Sequence, residues 1–196
     1  MLSEDYYVAN KLMKGFIGAA NIDTNSRLCM AHSMAGHKRA FGSDTVPGLY
    51  EDLEQADLVV LTGSNLAWCH PVLYQRLAAA KAVRPAMKIV VVDPRRTATC
   101  DVADLHLAIA PGSDAALFNA VLVAIAQAAD FLRHVTGYEG ALKAAVASDS
   151  AATGLDPAER AAFVQMFVTT DKVVTVYSQG INQSATGSDK VNAILN

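Results

Sequence analysis

The segment DLVVLTGS, residues 57–64, decides the fold. An unbroken apolar run from Leu58 to Leu61 is followed by Thr, Gly and Ser. A run of this length that ends in a turn signal is typical of a strand buried on both faces, as in a parallel sheet covered by helices. The segment KIVVVDPR, residues 88–95, repeats the pattern and predicts a second strand of the same kind.

Further strands and the helices between them complete the predicted architecture. Strands are predicted at residues 104–110 (DLHLAIA) and 172–178 (KVVTVYS). Helices are predicted at residues 6–17, 30–41, 51–56, 70–83, 115–128, 131–154, 156–167 and from 190 onward, with a polar loop at 180–189. Alternation of strands and helices implies right-handed crossovers and a mostly parallel sheet. Residues 1–196 are therefore predicted to form one doubly wound α/β domain of Rossmann-like type.

Composition excludes several classes of function. The chain has 196 residues, enough for one domain with a proper core, and 52% of them are hydrophobic. No basic patch interleaves with aromatic residues, which argues against a nucleic-acid surface. No apolar run reaches the roughly 18 residues of a membrane span. The last residues, VNAILN, carry no helix-stop signal. We therefore expect that the chain was excised from a longer protein.

The cysteines indicate the compartment. Cys29, Cys69 and Cys100 are widely spaced and form no C-x-x-C pair. This spacing favours a reduced, cytoplasmic setting over a disulfide framework, and no signal peptide opens the chain. It also argues against an iron–sulfur cluster held within this chain, since such clusters usually take four cysteines.

Polar residues follow each predicted strand. In open α/β sheets ligands bind beyond the carboxyl ends of the strands. Glycine lets a backbone approach phosphate, arginine pairs with phosphate, and a carboxylate can accept from ribose hydroxyls or guanine N–H groups. The candidate residues are Ser64 and Asn65 after the first strand, Asp93, Arg95 and Thr97 after the second, Gly112 and Asp114 after the third, and Gly180, Asn182 and Gln183 after the fourth. Taken singly, each could be only a turn, a strand end or a helix cap.

No G-x-G-x-x-G motif accompanies these residues, which argues against a conventional NAD site. The polar ends of the strands nevertheless predict a nucleotide site of another kind.

Cys29 lies between a polar, turn-rich approach and a predicted helix. Free backbone N–H groups at a helix start, together with the positive charge of Arg27, favour a thiolate. A thiolate is a nucleophile or a soft metal ligand, so Cys29 and Arg27 are candidate catalytic residues. The other reading is a buried structural cysteine, the commonest fate of a free thiol.

Residues 21–36, NIDTNSRLCMAHSMAG, resemble the molybdenum-ligand segment of the molybdopterin oxidoreductases, the dimethyl-sulfoxide-reductase superfamily. The resemblance is specifically to nitrate reductases of the assimilatory and periplasmic type. Four further segments resemble cofactor-binding segments of that family: LTGSNLAWCHP, VVDPRRT, APGSD and SQGINQSATG. The resemblance covers most of the chain and is weakest across residues 130–170.

The resemblance implies a function and a cofactor. Cys29 would supply the protein sulfur on the molybdenum of Mo-bis(molybdopterin guanine dinucleotide), and the ten rim residues would contact the cofactor. The parent enzyme would reduce nitrate to nitrite by oxygen-atom transfer. Electrons would come from a donor protein or subunit through a [4Fe-4S] cluster held outside this chain. The isolated domain, lacking the other domains, would be inactive.

Three alternatives remain open at this point. The first is a formate dehydrogenase-like molybdoenzyme domain, against which Met30 argues because formate dehydrogenases of the superfamily carry His after the cysteine or selenocysteine. The second is a hydrolase with Cys29 as nucleophile, which needs a His base. The third is a non-catalytic nucleotide-binding module. Cys69, Cys100 and Trp68 are predicted to lie in the core.

Overall fold

Four parallel strands form the centre of the computed structural model, which describes residues 2–24, 28–126 and 135–196. The strands are β1 (Leu58–Thr62), β2 (Lys88–Val92), β3 (Leu105–Leu107) and β4 (Val173–Tyr177), in the order β3-β2-β1-β4. In register, Val60 of β1 lies opposite Val90 of β2 and Thr175 of β4. The four predicted strands are confirmed, although β3 is shorter than the predicted 104–110.

Helices surround the sheet in chain order. They are α1 (Ser3–Asn10), α2 (Ala31–Phe41), α3 (Asp52–Gln55), α4 (Leu66–Cys69), α5 (Pro71–Val83), α6 (Asp114–Ile125), α7 (Tyr138–Val146), α8 (Pro157–Thr169), α9 (Gln179–Asn182) and α10 (Gly187–Leu195). A π-helical segment, Lys11–Ile17, continues α1, and 3₁₀ turns occupy Ala98–Val102 and Ser150–Thr153. No described helix is both long and apolar enough to cross a bilayer.

Alternate residues of the strands enter two separate hydrophobic clusters. Val60 and Val90 pack with Leu117 of α6 and Phe163 of α8 on one face. On the other face, Val59 packs with Leu77 of α5 and residues of α3. Strand β1 is buried over its whole length. Helices thus cover both faces, which confirms the doubly wound α/β prediction and explains the unbroken apolar run.

Several predicted helix ends are confirmed by their backbone geometry. Gly18 and Gly42 have φ of 74° and 76° and end the π-helical segment and α2 in the left-handed region that favours glycine. At the start of α8, Asp156 accepts from the backbone N–H of Ala158 at 2.8 Å, and Pro157 takes the first helical position. These short-range signals are read correctly from sequence because they act within one turn.

Other predicted elements need correction. The predicted helix 131–154 is described only as α7 and the 3₁₀ turn Ser150–Thr153, because residues 127–134 lie outside the described part of the chain. The predicted loop 180–189 instead contains α9 and the start of α10. The predicted helix 6–17 starts at Ser3, turns π-helical at Lys11, and has no buried residue.

Candidate functional site

The turn after β1 and the start of α9 touch each other, backbone to backbone. The Gly180 N–H donates to the carbonyl of Gly63 at 3.0 Å. Gly63 has φ of +54°, and a Cβ on Gly180 would lie 2.6 Å from Gly63 Cα. Strand β1 lies between β2 and β4, so this contact marks the point where the chain changes direction across the sheet, the usual ligand position in such folds.

Cys29 lies beside the loop that follows β4. Its thiol is exposed, and Gln183 Nε2 donates a hydrogen bond to Cys29 Sγ at 2.8 Å. In the same turn, Asn182 Nδ2 lies 3.4 Å from Met30 Sδ. The fold therefore brings together a cysteine near one end of the sequence and an Asn-Gln pair near the other. Arg27, predicted to act with Cys29, lies outside the described residues.

Helix α2, which follows Cys29, is held mainly by α10. A Cβ on Gly36 of α2 would lie 2.2 Å from Val191 Cγ1, so the two helices approach closely at this glycine. His32 Nδ1 lies 2.8 Å from Ser188 Oγ. These contacts fix the direction in which α2 leaves the Cys29 turn.

Strand β4 provides a further support for α2. The Ser33 hydroxyl pairs with the Tyr177 hydroxyl. Burial raises the pKa of Tyr177, the hydrogen bond with Ser33 partly opposes that shift, and the charge of Asp44 adds to it. His37 is also buried, with its ring centroid 6.0 Å from that of Tyr177.

Four buried polar atoms at the carboxyl edge of the sheet have no hydrogen-bond partner among the described residues. They are Thr62 Oγ1, Ser64 Oγ, Thr97 Oγ1 and Asn182 Oδ1. An unsatisfied buried polar group costs about 1–3 kcal/mol, so polar ligand atoms or ordered water at this edge would stabilise the protein. Three of the four belong to residues that the sequence analysis placed at a cofactor.

The turn after β2 is held by local hydrogen bonds. Asp93 is buried, and its Oδ1 accepts from the Arg95 N–H at 2.8 Å. The Arg95 side chain itself is exposed beside this turn. His106 Nε2 lies 2.9 Å from the Asp93 carbonyl oxygen. Asn65, after β1, accepts from the Thr99 hydroxyl at 3.0 Å, which ties the turns after β1 and β2 together.

The turn after β3 differs from the others. Gly112 has φ of +90°, and no heavy atom lies within 4 Å of a Cβ built on it, so this turn is open. Asp114, two residues later, is buried and ion-paired with Lys190, whose Nζ lies 2.8 Å from Asp114 Oδ2. The Asp114 carboxylate is therefore already engaged by α10.

The structure thus forms two groups from the predicted site residues. One contains Cys29, Asn182 and Gln183, and Gly180 joins it to Ser64 through the contact with Gly63. The other follows β2 and β3 and contains Asp93, Arg95, Thr97, Gly112 and Asp114. Whether either group binds a cofactor stays a prediction.

Two core predictions are wrong. Trp68 is 76% exposed and Cys69 is exposed, because the chain forms the short helix α4 there and turns both side chains outward. Cys100 is buried, as predicted.

Sequence reasoning missed Lys190, Tyr177 and Thr99. Lys190 had a usable signal: it shares a helical face with Ala193 and Ile194, three and four positions on. A charged residue on an apolar helix face requires a partner when buried, but the sequence does not say which carboxylate. Tyr177 and Thr99 gave no signal, since their partners lie far away in sequence.

Comparison with known proteins supports one family. A family model described as molybdopterin oxidoreductase matches residues 1–196. A nitrate reductase from Klebsiella oxytoca is 57% identical over 200 residues, and the match covers 100% of this chain and 23% of that protein. A nitrate reductase from Shewanella frigidimarina is 46% identical over 207 residues, covering 100% of this chain and 22% of the relative.

A solved structure agrees with this result at the level of fold. Acetylene hydratase from Pelobacter acetylenicus superposes with a TM-score of 0.69 at 23% identity, over 91% of this chain and 25% of that one. The chain spans less than a quarter of the length of the two nitrate reductases. Since the family model covers every residue, the chain belongs to the molybdopterin oxidoreductase family.

Proposed function

We propose that this chain is the cofactor-binding domain of a molybdenum nitrate reductase and holds part of a Mo-bis(molybdopterin guanine dinucleotide) cofactor. The observation that carries the proposal is the position of the exposed Cys29 thiol against Gln183, beside the carboxyl ends of β1 and β4. The two relatives named nitrate reductase match the whole chain, which supports the choice of substrate.

The residues at this edge suit such a group. Cys29 offers a soft sulfur ligand in an exposed turn, as a molybdenum–sulfur centre requires. Ser64, Thr97 and Asn182 offer buried polar atoms that lack partners among the described residues. Arg95 presents an exposed guanidinium suited to pyrophosphate, and the open Gly112 turn admits a close backbone approach. The remaining contacts are assigned to Asn65, Asp93, Asp114, Gly180 and Gln183.

In the parent enzyme the chain's own residues bind and orient. When bound, the cofactor supplies the redox chemistry that converts nitrate to nitrite and water with two electrons and two protons. The Gln183 amide directs an N–H at the Cys29 sulfur and so fixes the side chain in one direction. The contacts of α2 with α10 and β4 hold the turn itself.

The proposal extends to the parts outside this chain. A [4Fe-4S] cluster in the parent polypeptide would pass electrons from a donor protein or subunit, and nitrate would reach the site through a funnel formed with the other domains. The chain alone would be inactive. We assign the parent to the cytoplasm.

The hydrolase alternative is less well supported by the same geometry. A cysteine nucleophile needs a neighbouring base, and the partner of Cys29 Sγ is the Gln183 amide, whose N–H cannot accept a proton. His32, nearby in sequence, is instead engaged with Ser188.

The test is expression of the full-length parent, followed by measurement of its metals and activity. We expect molybdenum and iron in the purified protein and nitrite formation from nitrate with a reduced viologen dye. Metal-free protein with thiol-dependent esterase activity would contradict the proposal and favour a hydrolase. Formate oxidation without nitrate reduction would keep the family but reject the substrate.

A second experiment tests the nucleotide rim in this chain. GDP shares the guanosine and pyrophosphate of the proposed cofactor tail, so we expect the chain to bind GDP and Asp114→Ala to weaken that binding. Unchanged binding by this variant would remove Asp114 from the proposed site.

A further inference from the structure

A buried ion pair joins the proposed nucleotide rim to the helix behind the Cys29 turn. Lys190 Nζ lies 2.8 Å from Asp114 Oδ2, and the two side chains are only 4% and 8% exposed. Asp114 is the first residue of α6 and comes just after the Gly112 turn. Lys190 lies in α10, a nine-residue helix near the other end of the sequence.

Helix α10 contacts both groups of proposed site residues. On one side Val191 meets Gly36 of α2, and Ser188 meets His32, so α10 supports the Cys29 turn. On the other side Lys190 reaches Asp114 at the start of α6. A displacement of α10 would therefore move the thiol and the nucleotide rim together.

Stability alone does not explain such a pair. The cost of removing two charges from water offsets most of their attraction, and a neutral, well-packed pair is often as stable. The better-supported use of a buried ion pair is to enforce one arrangement. Here the ammonium holds one carboxylate oxygen, and the amino terminus of α6 attracts the carboxylate from the other direction.

We infer that Lys190 is a positioning residue for nucleotide recognition. It fixes the Asp114 carboxylate in the orientation in which that carboxylate accepts hydrogen bonds from the N–H groups of a guanine base. The inference rests on the proposed function and deepens it, because it assigns a role to a residue that acts through Asp114.

The test measures GDP affinity and urea stability for the chain and its variants. Lys190→Met keeps the length and volume of the side chain but removes its charge, and we expect it to weaken GDP binding about tenfold or more, since a charge-assisted interaction that orients the acceptor is lost. The double variant Asp114→Asn/Lys190→Met removes both charges. We expect it to regain the urea midpoint lost in Lys190→Met without regaining GDP affinity.

A matched control separates positioning from general destabilisation. Lys81 also lies 2.8 Å from an aspartate, Asp104, in an ion pair of α5 that is away from the proposed rim. We expect Lys81→Met to lower the urea midpoint while leaving GDP affinity within about twofold, since surface and edge pairs act on stability alone.

Three results would overturn the inference. Folded Lys190→Met that binds GDP like the parent would show that Asp114 needs no positioning. Recovery of GDP binding together with stability in the double variant would show that the pair is only structural. If the unmodified chain binds no GDP, the proposed rim fails and the role of Lys190 fails with it, whereas the first two results leave the rim intact.

Discussion

The central sheet and the segment before it are held in very different ways. Strand β1 is buried along its length, and its side chains enter two hydrophobic clusters, one on each face. In the described part of residues 2–50, only Gly36 and His37 are buried, and large apolar side chains such as Phe16 (76%) and Leu28 (85%) are exposed. Yet this second region carries Cys29.

The difference separates stability from function. The sheet supplies most of the hydrophobic burial and sets the fold. The Cys29 turn depends instead on a small number of specific contacts, among them Gly36 with Val191 and Ser33 with Tyr177. Changes in the sheet should unfold the domain, and changes at these contacts should displace the thiol while leaving the sheet folded.

The largest effect is expected in β1. Leu61 is fully buried, so Leu61→Ala should cost about 2–5 kcal/mol of unfolding free energy through the cavity it leaves. Leu28→Ala is the matched control in the exposed region and should change stability by less than about 0.5 kcal/mol. Urea denaturation of both variants measures the contrast. Equal costs would mean that residues before β1 share the core.

A smaller effect is expected where α2 meets α10. A Cβ on Gly36 would overlap Val191 Cγ1, so Gly36→Ala should destabilise by about 1–3 kcal/mol through overpacking. It should also change the rate at which Cys29 reacts with iodoacetamide. Both effects are measured on the same protein sample.

Two further variants sharpen this result. Gly140, also in a helix, has no atom within 4 Å of a built Cβ, so Gly140→Ala should stabilise by about 0.5–1 kcal/mol. Adding Val191→Ala to Gly36→Ala should relieve the overlap. A Gly36→Ala variant as stable as Gly140→Ala, with unchanged thiol reactivity, would show that the helices are not held at this contact.

The smallest effect is expected at Tyr177. Tyr177→Phe loses one hydrogen bond, worth about 1 kcal/mol near neutral pH. Because burial raises the folded-state pKa of Tyr177 above its ordinary value of 10.0, its protonated form stabilises the fold at lower pH. This contribution is lost as the pH rises from the unfolded value through the folded one.

The stability difference between the parent and Tyr177→Phe should therefore shrink between about pH 9 and about pH 11. Urea midpoints at both pH values measure it. The pKa of Tyr74 is also raised by burial, so the variant should retain part of the alkaline loss. A difference that stays constant with pH would contradict the assignment to the Tyr177 hydroxyl.

Sequence reasoning succeeded where the signal is local. The apolar runs of β1 and β2, the glycines that end α2 and the π-helical segment, and the Asp156-Pro157 start of α8 each act within a few residues. Reasoning failed where the outcome depends on distant packing. Trp68 is exposed because α4 turns it outward, and nothing in the local pattern distinguishes that from burial.

The candidate site follows the same rule. That polar residues after the strands share one edge follows from parallel topology, so the rim could be predicted. The pairings of Cys29 with Gln183 and of Asp114 with Lys190 join residues more than seventy positions apart, and side-chain chemistry allowed several other partners for each. Only the three-dimensional fold selects among them.

The most direct measurement of the central claim compares two exposed thiols in the full-length parent. Cys29→Ser should leave the protein folded but sharply reduce its bound molybdenum and its nitrate reduction, while Cys69→Ser, changed in the same way at another exposed thiol, should retain both. If Cys29→Ser purifies with its full molybdenum content and reduces nitrate at the parent rate, the assignment of Cys29 as the metal ligand is wrong.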